Sequence, residues 1–209
     1  MMTTYGVAVD KLVTELSRHD YEELVQRSGA GAPGPGRIAL RCLGQDYLIT
    51  YPEGEVTTAA GEPVDEHLAI LLLLYLTEAQ GRLVEGRWIA FEQISGGAGY
   101  VASFRGRVVA PLLRTFGQRP EALLEASAGL EGSALDLGDA AVALAALPRV
   151  PIAFVLWCGD DEFTPSASVV FDASVEGYLD AEAATVLAEL ASRRMVEAAA
   201  GGPNKGGTR

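Results

Sequence analysis

Three adjacent carboxylates, Asp160, Asp161 and Glu162, follow a glycine just after an apolar run that ends on Trp157 and Cys158. A second apolar run, closing at Asp172, begins a few residues later. Carboxylates are seldom buried without partners, so two core elements present a concentrated negative patch at one point on the surface. Acids so placed can hold a cation, serve as a general base, or cap and solvate a turn. A second constellation is the string Ser95-Gly96-Gly97-Ala98-Gly99-Tyr100. Gly97, Gly99 and Ala102 match GxGxxA, in which glycines let backbone N–H groups approach a pyrophosphate at a helix N-terminus. No acid lies between Glu92 and Glu121, yet Arg105, Arg107, Arg114 and Arg119 all fall there. A cationic stretch in an acidic chain calls for a negative partner. That partner is either the chain's own carboxylates, the 160–162 turn among them, or a small anionic ligand gripped by guanidinium and loop N–H groups.

Context limits each motif. GDDEF approximates the GG[DE]EF signature of diguanylate cyclases, but that chemistry needs a second metal-binding acid on an earlier strand. Residues 115–125 read instead as helical, without aspartate. An EF-hand loop needs alternating ligands and a twelfth-position glutamate, whereas these acids are contiguous. A Rossmann unit needs a second parallel strand ending in an acid about twenty residues on, where 119–128 reads as helix. No GxSxG, HExxH or Cys-His nucleophile signature occurs. His19 at a helix end and His67 in the first turn of an apolar helix lack a ligand companion, so both are assigned to structure and no metal site is read. Cys42 and Cys158 have no CxxC spacing and are expected as reduced, small core residues. The plainest role for the acidic turn is capping, since Thr164 before Pro165 fits a helix N-cap.

Of 209 residues 49% are apolar and only 7% aromatic, so the core must rest on Leu, Val and Ala. A net charge of −12 argues against nucleic acid or anionic lipid as partners, which are bound through Lys and Arg clusters. The start MMTTYGVAVDKL lacks the basic and apolar regions of a secretory signal. LAILLLLYL, 68–76, falls short of the roughly 20 residues that span a bilayer. The expectation is a cytoplasmic chain without a membrane partner. Residues 3–27 read as two helices, the second opening at Asp20 with Glu23 in capping-box spacing. RIALRCL and YLITY flank Gly44-Gln45-Asp46 as a hairpin, and Asp65 with Glu66 opens a helix buried on most sides. Strands are expected over 88–94 and 152–157, while 139–147 is ambiguous, its alanines favouring helix and its short apolar run a buried strand, with strand preferred. A helix follows the four-residue recurrence of Tyr100, Phe104, Val108, Leu112 and Phe116, bent or broken at Gly106 and Pro111. Pro120 opens a short helix to Ser127, and Asp180 caps the last one, through Ala200. The sum is one α+β domain over 1–200, a mixed or antiparallel sheet packed against several helices. Residues 29–36, GAGAPGPG, are expected as a mobile connector with neither helix nor strand, and 201–209 as a disordered tail.

The segments Pro148-Arg149-Val150-Pro151, Trp157-x-Gly159-Asp160-x-Glu162-Phe163 and Phe171-Asp172 resemble a prokaryotic family known as domain of unknown function 3786. The similarity extends through Ser28-Gly29-Ala30, Trp88, Phe91, Gly96-Gly97, Tyr100, Phe104 and Phe116-Gly117. The resemblance implies a single cytoplasmic domain and supplies no activity, substrate or catalytic residue. Some members of that family carry an appended cysteine-rich iron–sulfur segment; this chain has none, so no such chemistry transfers.

The leading expectation is a soluble accessory domain binding a small anionic or cofactor-like ligand between the glycine loop and the acidic turn. Its candidate residues are Gly96, Gly97, Gly99, Tyr100, Arg105, Arg107, Trp157, Asp160, Asp161 and Glu162. The alternatives are a carboxylate- or metal-dependent enzyme and an acidic domain that docks a protein partner. Catalytic residues and cofactors stay unassigned.

Overall fold

Asp20 accepts hydrogen bonds from the N–H groups of Glu22 and Glu23, which starts a helix where the chain leaves a turn. In the computed structural model, which describes residues 4–159 and 162–201, this helix is α2 (Tyr21–Ser28), preceded by α1 (Thr4–Leu16). Gly29, at φ 70°, ends α2 in the left-handed conformation. The expectation of a strandless connector is corrected here: β1 (Gly31–Gly34) pairs antiparallel with β2 (Arg37–Cys42). Pro33 is tolerated because β1 is an edge strand. β2 turns into β3 (Gln45–Thr50) through Leu43 and Gly44, both at positive φ, the requirement of a two-residue type I′ hairpin. β4 (Val56–Thr58) completes a four-stranded antiparallel meander.

Asp65 caps α3 (Glu66–Thr77) by accepting from His67 and Leu68 N–H groups. The helix buries Leu68, Leu71, Leu72, Leu73, Tyr75 and Leu76, as its all-round apolar composition requires. A second antiparallel sheet follows, in the order β5-β9-β8-β7-β6. It is built from β5 (Trp88–Ala90), β6 (Ser133–Leu135), β7 (Ala140–Leu147), β8 (Val150–Trp157) and β9 (Ser166–Asp172). β8 lies in the middle and is buried on both faces over most of its length, so it reads as an unbroken apolar run. Strand structure at 88–94 stops sooner than expected, because Phe91–Gln93 turns into a 3₁₀ helix. Pro165 precedes β9 and not a helix, so Thr164 is not a helix N-cap. Trp88 stands opposite Asp172 and Trp157 opposite Ser166, which puts the two indoles at opposite ends of β9. The fold is α+β, with two antiparallel sheets where one was expected, and one continuous hydrophobic core.

The helical layer comprises α4 (Val101–Phe104), a π-turn (Arg105–Val109), α5 (Ala110–Phe116), α6 (Ala122–Ser127) and α7 (Ala181–Ala199). A strict four-residue recurrence overshoots an α-helical turn by about 40° per step, so Phe104, Val108, Leu112 and Phe116 would drift off one face. The π-turn absorbs the excess, its Ala110 N–H reaching back to the Arg105 carbonyl, and all four side chains are buried. This replaces the break expected at Gly106 and Pro111. The Ser192 hydroxyl on α7 donates to the Val108 carbonyl inside the distortion, and Pro111 has no N–H to misplace. Phe104 stacks on Phe91 at 4.0 Å between ring centroids, with Phe171 tilted against both.

Deleting Gly106 restores a three-four-four spacing that an ordinary α-helix keeps on one face. The shortened chain is expected to unfold within about 1 kcal/mol of the parent in urea. Phe116→Ala, which empties the fully buried site at the end of this row, should cost about 3–5 kcal/mol.

Candidate functional site

The glycine loop folds around its own backbone. Gly97–Gly99 forms a 3₁₀ turn in which the N–H groups of Gly97, Gly99 and Tyr100 donate to Ile94, Gly96 and Gly97 carbonyls, so these donors are already engaged. Gly97 is glycine for packing, since a Cβ there would lie 2.2 Å from the Phe91 carbonyl oxygen. Tyr100 is exposed. Arg105 lies 3.7 Å from Glu92, and Arg107 donates to Glu189 on α7. The chain's own acids, Glu92 and Glu189, therefore compensate both arginines.

Gly96 faces Ala181 at the start of α7, whereas Gly117, just past α5, faces Pro165 beside the acidic turn. The helical run 101–116, roughly 20 Å long, connects Gly96 to Gly117. Asp160 and Asp161 lie outside the described residues; Glu162 is exposed. Trp157, 42% exposed, ends β8. Cys158 is exposed, which corrects its expected place in the core, and its N–H donates to Asp139. Partial desolvation and then the Asp139 carboxylate raise its thiol pKa, the opposite of what a thiolate nucleophile needs. Cys42 is fully buried, and desolvation pushes its thiol up to about 12. His19 and His67 lie near Glu15 and Asp65. Among the described residues no cluster of three His, Cys, Asp or Glu is placed to hold a metal, and no helix is long and apolar enough to cross a membrane.

The opposite end of the sheet carries a cluster that spacing did not reveal. Pro148 and Arg149 form the two-residue turn between β7 and β8, with Leu147 paired to Val150. The Arg149 N–H donates to the Tyr75 hydroxyl at 3.1 Å, and that hydroxyl donates to the Ser28 carbonyl at 2.6 Å. Tyr75 stacks on Tyr178, ring centroids 5.1 Å apart. The Tyr178 hydroxyl reaches the carbonyls of Arg27 and Arg82. Burial raises both phenol pKa values; the guanidinium groups of Arg149 and Arg82 pull that of Tyr178 back. The Arg149 side chain has no carboxylate partner among the described residues, and its Nε is buried without any acceptor. A Cβ on Gly29 would lie 2.9 Å from that Nε, so only glycine lets the chain pack this closely against the guanidinium. Arg27, Gly29 and Arg82 are exposed around it. The segments 28–30 and 148–151, both noted above for their family resemblance, thus meet in space. A lone arginine in a hairpin turn has no periodicity to betray it; that shared resemblance was the available signal.

Asp172 holds this end together. Only 1% exposed, it accepts from the N–H groups of Glu85, Arg87 and Ser174, and the Ser174 hydroxyl donates to the Arg149 carbonyl at 2.6 Å. Burial pushes its carboxyl pKa up, but the backbone donors of Glu85, Ser174 and Gly86 together bring it below the usual value. A depressed folded-state pKa contributes stability that is present above the unfolded value, about 3.9, and lost as pH falls through the folded one. Asp172→Asn should therefore cost on the order of 3 kcal/mol at pH 7, measured by urea unfolding. The difference from the parent should shrink below about pH 4, and a gap that stays constant to pH 2.5 would contradict this account.

No curated protein and no solved structure matches the chain significantly. A family model, described as Domain of unknown function (DUF3786), matches residues 20–194. That span takes in α2, both sheets, the glycine loop, the Arg149 cluster and most of α7, and the chain belongs to this family.

Proposed function

We propose that the protein is an accessory binding domain that holds a small anionic ligand, a carboxylate or phosphate, at Arg149. The observation carrying this reading is the buried Nε of Arg149, a cationic donor with no acceptor among the described residues. A buried polar group without a partner costs about 1–3 kcal/mol, more when charged, and an oxyanion would satisfy it. Nε and one terminal nitrogen form the edge that grips carboxylate or phosphate with two parallel bonds. The exposed Arg27 and Arg82, whose carbonyls share the Tyr178 hydroxyl beside this cluster, support the same reading, even though Arg27 lies 3.2 Å from Glu23 and Arg82 3.9 Å from Glu176. By contrast, Arg105 and Arg107 already face Glu92 and Glu189.

Inorganic phosphate, titrated at constant ionic strength, tests the proposal by thermal unfolding. At one hundred times its Kd it should add about 2.7 kcal/mol, a rise in Tm of about 5–10 °C. Arg149→Met should abolish the response, while Arg105→Gln keeps it. The converse pattern would assign the anion to the glycine loop and the 157–163 turn. No response to phosphate, sulfate or small carboxylates would remove the anion site.

A further inference from the structure

α3 and α7 run antiparallel with an open groove between them. Asp65 at the start of α3 lies across from Glu189 and Arg193 late in α7, and Leu74 and Glu78 lie across from Asp180 at its beginning. Three hollows of about 500, 310 and 350 Å³ follow one another along this line. The first two share His67, Leu71 and Val186, and the last two share Leu74 and Asp180. The floor is apolar, formed by Ile70, Leu71, Leu74 and Val186. The α3 wall is 12 residues long, about 18 Å, or three to four helical turns.

Charge along the rim is uneven. Around the α7 N-terminus stand Glu78, Asp180 and Glu182, and among the described residues Glu78 and Glu182 pair with no cation. At the far end Arg107 is engaged by Glu189, and Arg193 lies 3.9 Å from Glu197. The groove therefore asks for an occupant with an apolar face and positive charge toward one end. A second copy of the chain fits poorly, because each brings a net charge of −12 and would set like charge against the acidic rim. Residues 202–209, GPNKGGTR, offer no apolar side chain beyond proline to fill the floor.

We propose that the α3–α7 groove docks an amphipathic helix of a partner protein, with Leu-like side chains on the floor and Lys or Arg against Glu78, Asp180 and Glu182. This is helix-in-groove recognition, read through residues three and four apart. It goes beyond the anion site, which lies on other residues.

The test uses the full chain and a fluorescein-labelled 18-residue peptide of leucine and lysine, leucines at i, i+3, i+4 and i+7, followed by fluorescence anisotropy. Micromolar binding that weakens with salt is expected. Val186→Glu should weaken it at least tenfold, and so should Glu78→Lys combined with Glu182→Lys, two exposed positions whose exchange leaves the core intact. Leu83→Ser, on an exposed loop elsewhere, should change nothing, and a peptide with glutamate for lysine should not bind. Circular dichroism confirms that each variant is folded. Absent binding, or equal binding by the parent and the Glu78/Glu182 variant, overturns the proposal. So does a concentration-dependent dimer that Val186→Glu dissolves, which would give the groove to a second copy.

Discussion

The last carbonyls of a helix need donors, and at the end of α2 they are tucked against the core where the chain itself must provide them. Two phenols do so. Tyr75 donates to the Ser28 carbonyl, and Tyr178 has the Arg27 carbonyl within reach. Each also engages a distant segment: Tyr75 accepts from the turn that holds Arg149, and Tyr178 reaches the loop that holds Arg82. Burial keeps both phenols protonated, so the donors persist through the physiological range. Satisfying one helix end in this way fixes α2, α3, the β7–β8 hairpin and the 80–87 loop around a single point. Asp172 does the complementary work, collecting backbone N–H groups from that loop and from the 3₁₀ turn after β9.

Elements with strong local chemistry could be read from the chain before any coordinates. Asp20, Asp65 and Asp180 announced the starts of α2, α3 and α7, and the side chain of each accepts from its helix's first N–H groups. The continuous apolar run of β8 likewise announced a central strand. Departures arose where tertiary pairing overrode local composition. GAPG has poor strand propensity, yet β2 offers an unpaired edge and β1 takes it. The four-residue recurrence around Val108 was correctly helical, but its excess over 3.6 was the mark of a π-turn, and Gly106 and Pro111 drew attention to a break instead. Cys158 follows five buried residues of β8 closely in sequence, but lies one step beyond the strand, where the register no longer points inward.

Site chemistry was less legible than the fold, for a related reason. Motif spacing finds groups adjacent in sequence, such as the glycine string, whose N–H groups are engaged by the loop's own carbonyls. The Arg149 cluster draws on 27–29, 75, 82, 149 and 174–178, and no periodicity links those numbers. The arginine-rich, acid-free stretch left two partners open, the chain's own carboxylates or an added anion, and Glu92 and Glu189 approach it from outside the window. What distinguishes Arg149 is the absence of such a neighbour among the described residues.

The placement of the two tryptophans equips the domain with its own optical readout. Trp88 is half-buried beside the strand position of Asp172, while Trp157 stands in water at the far end of the same ladder. Their emission maxima should differ accordingly, the solvated indole being the redder and the more readily quenched by iodide. Replacing Trp157 with phenylalanine would leave a single emitter within one strand of the arginine cluster, so that events there can be followed by light without attaching a dye.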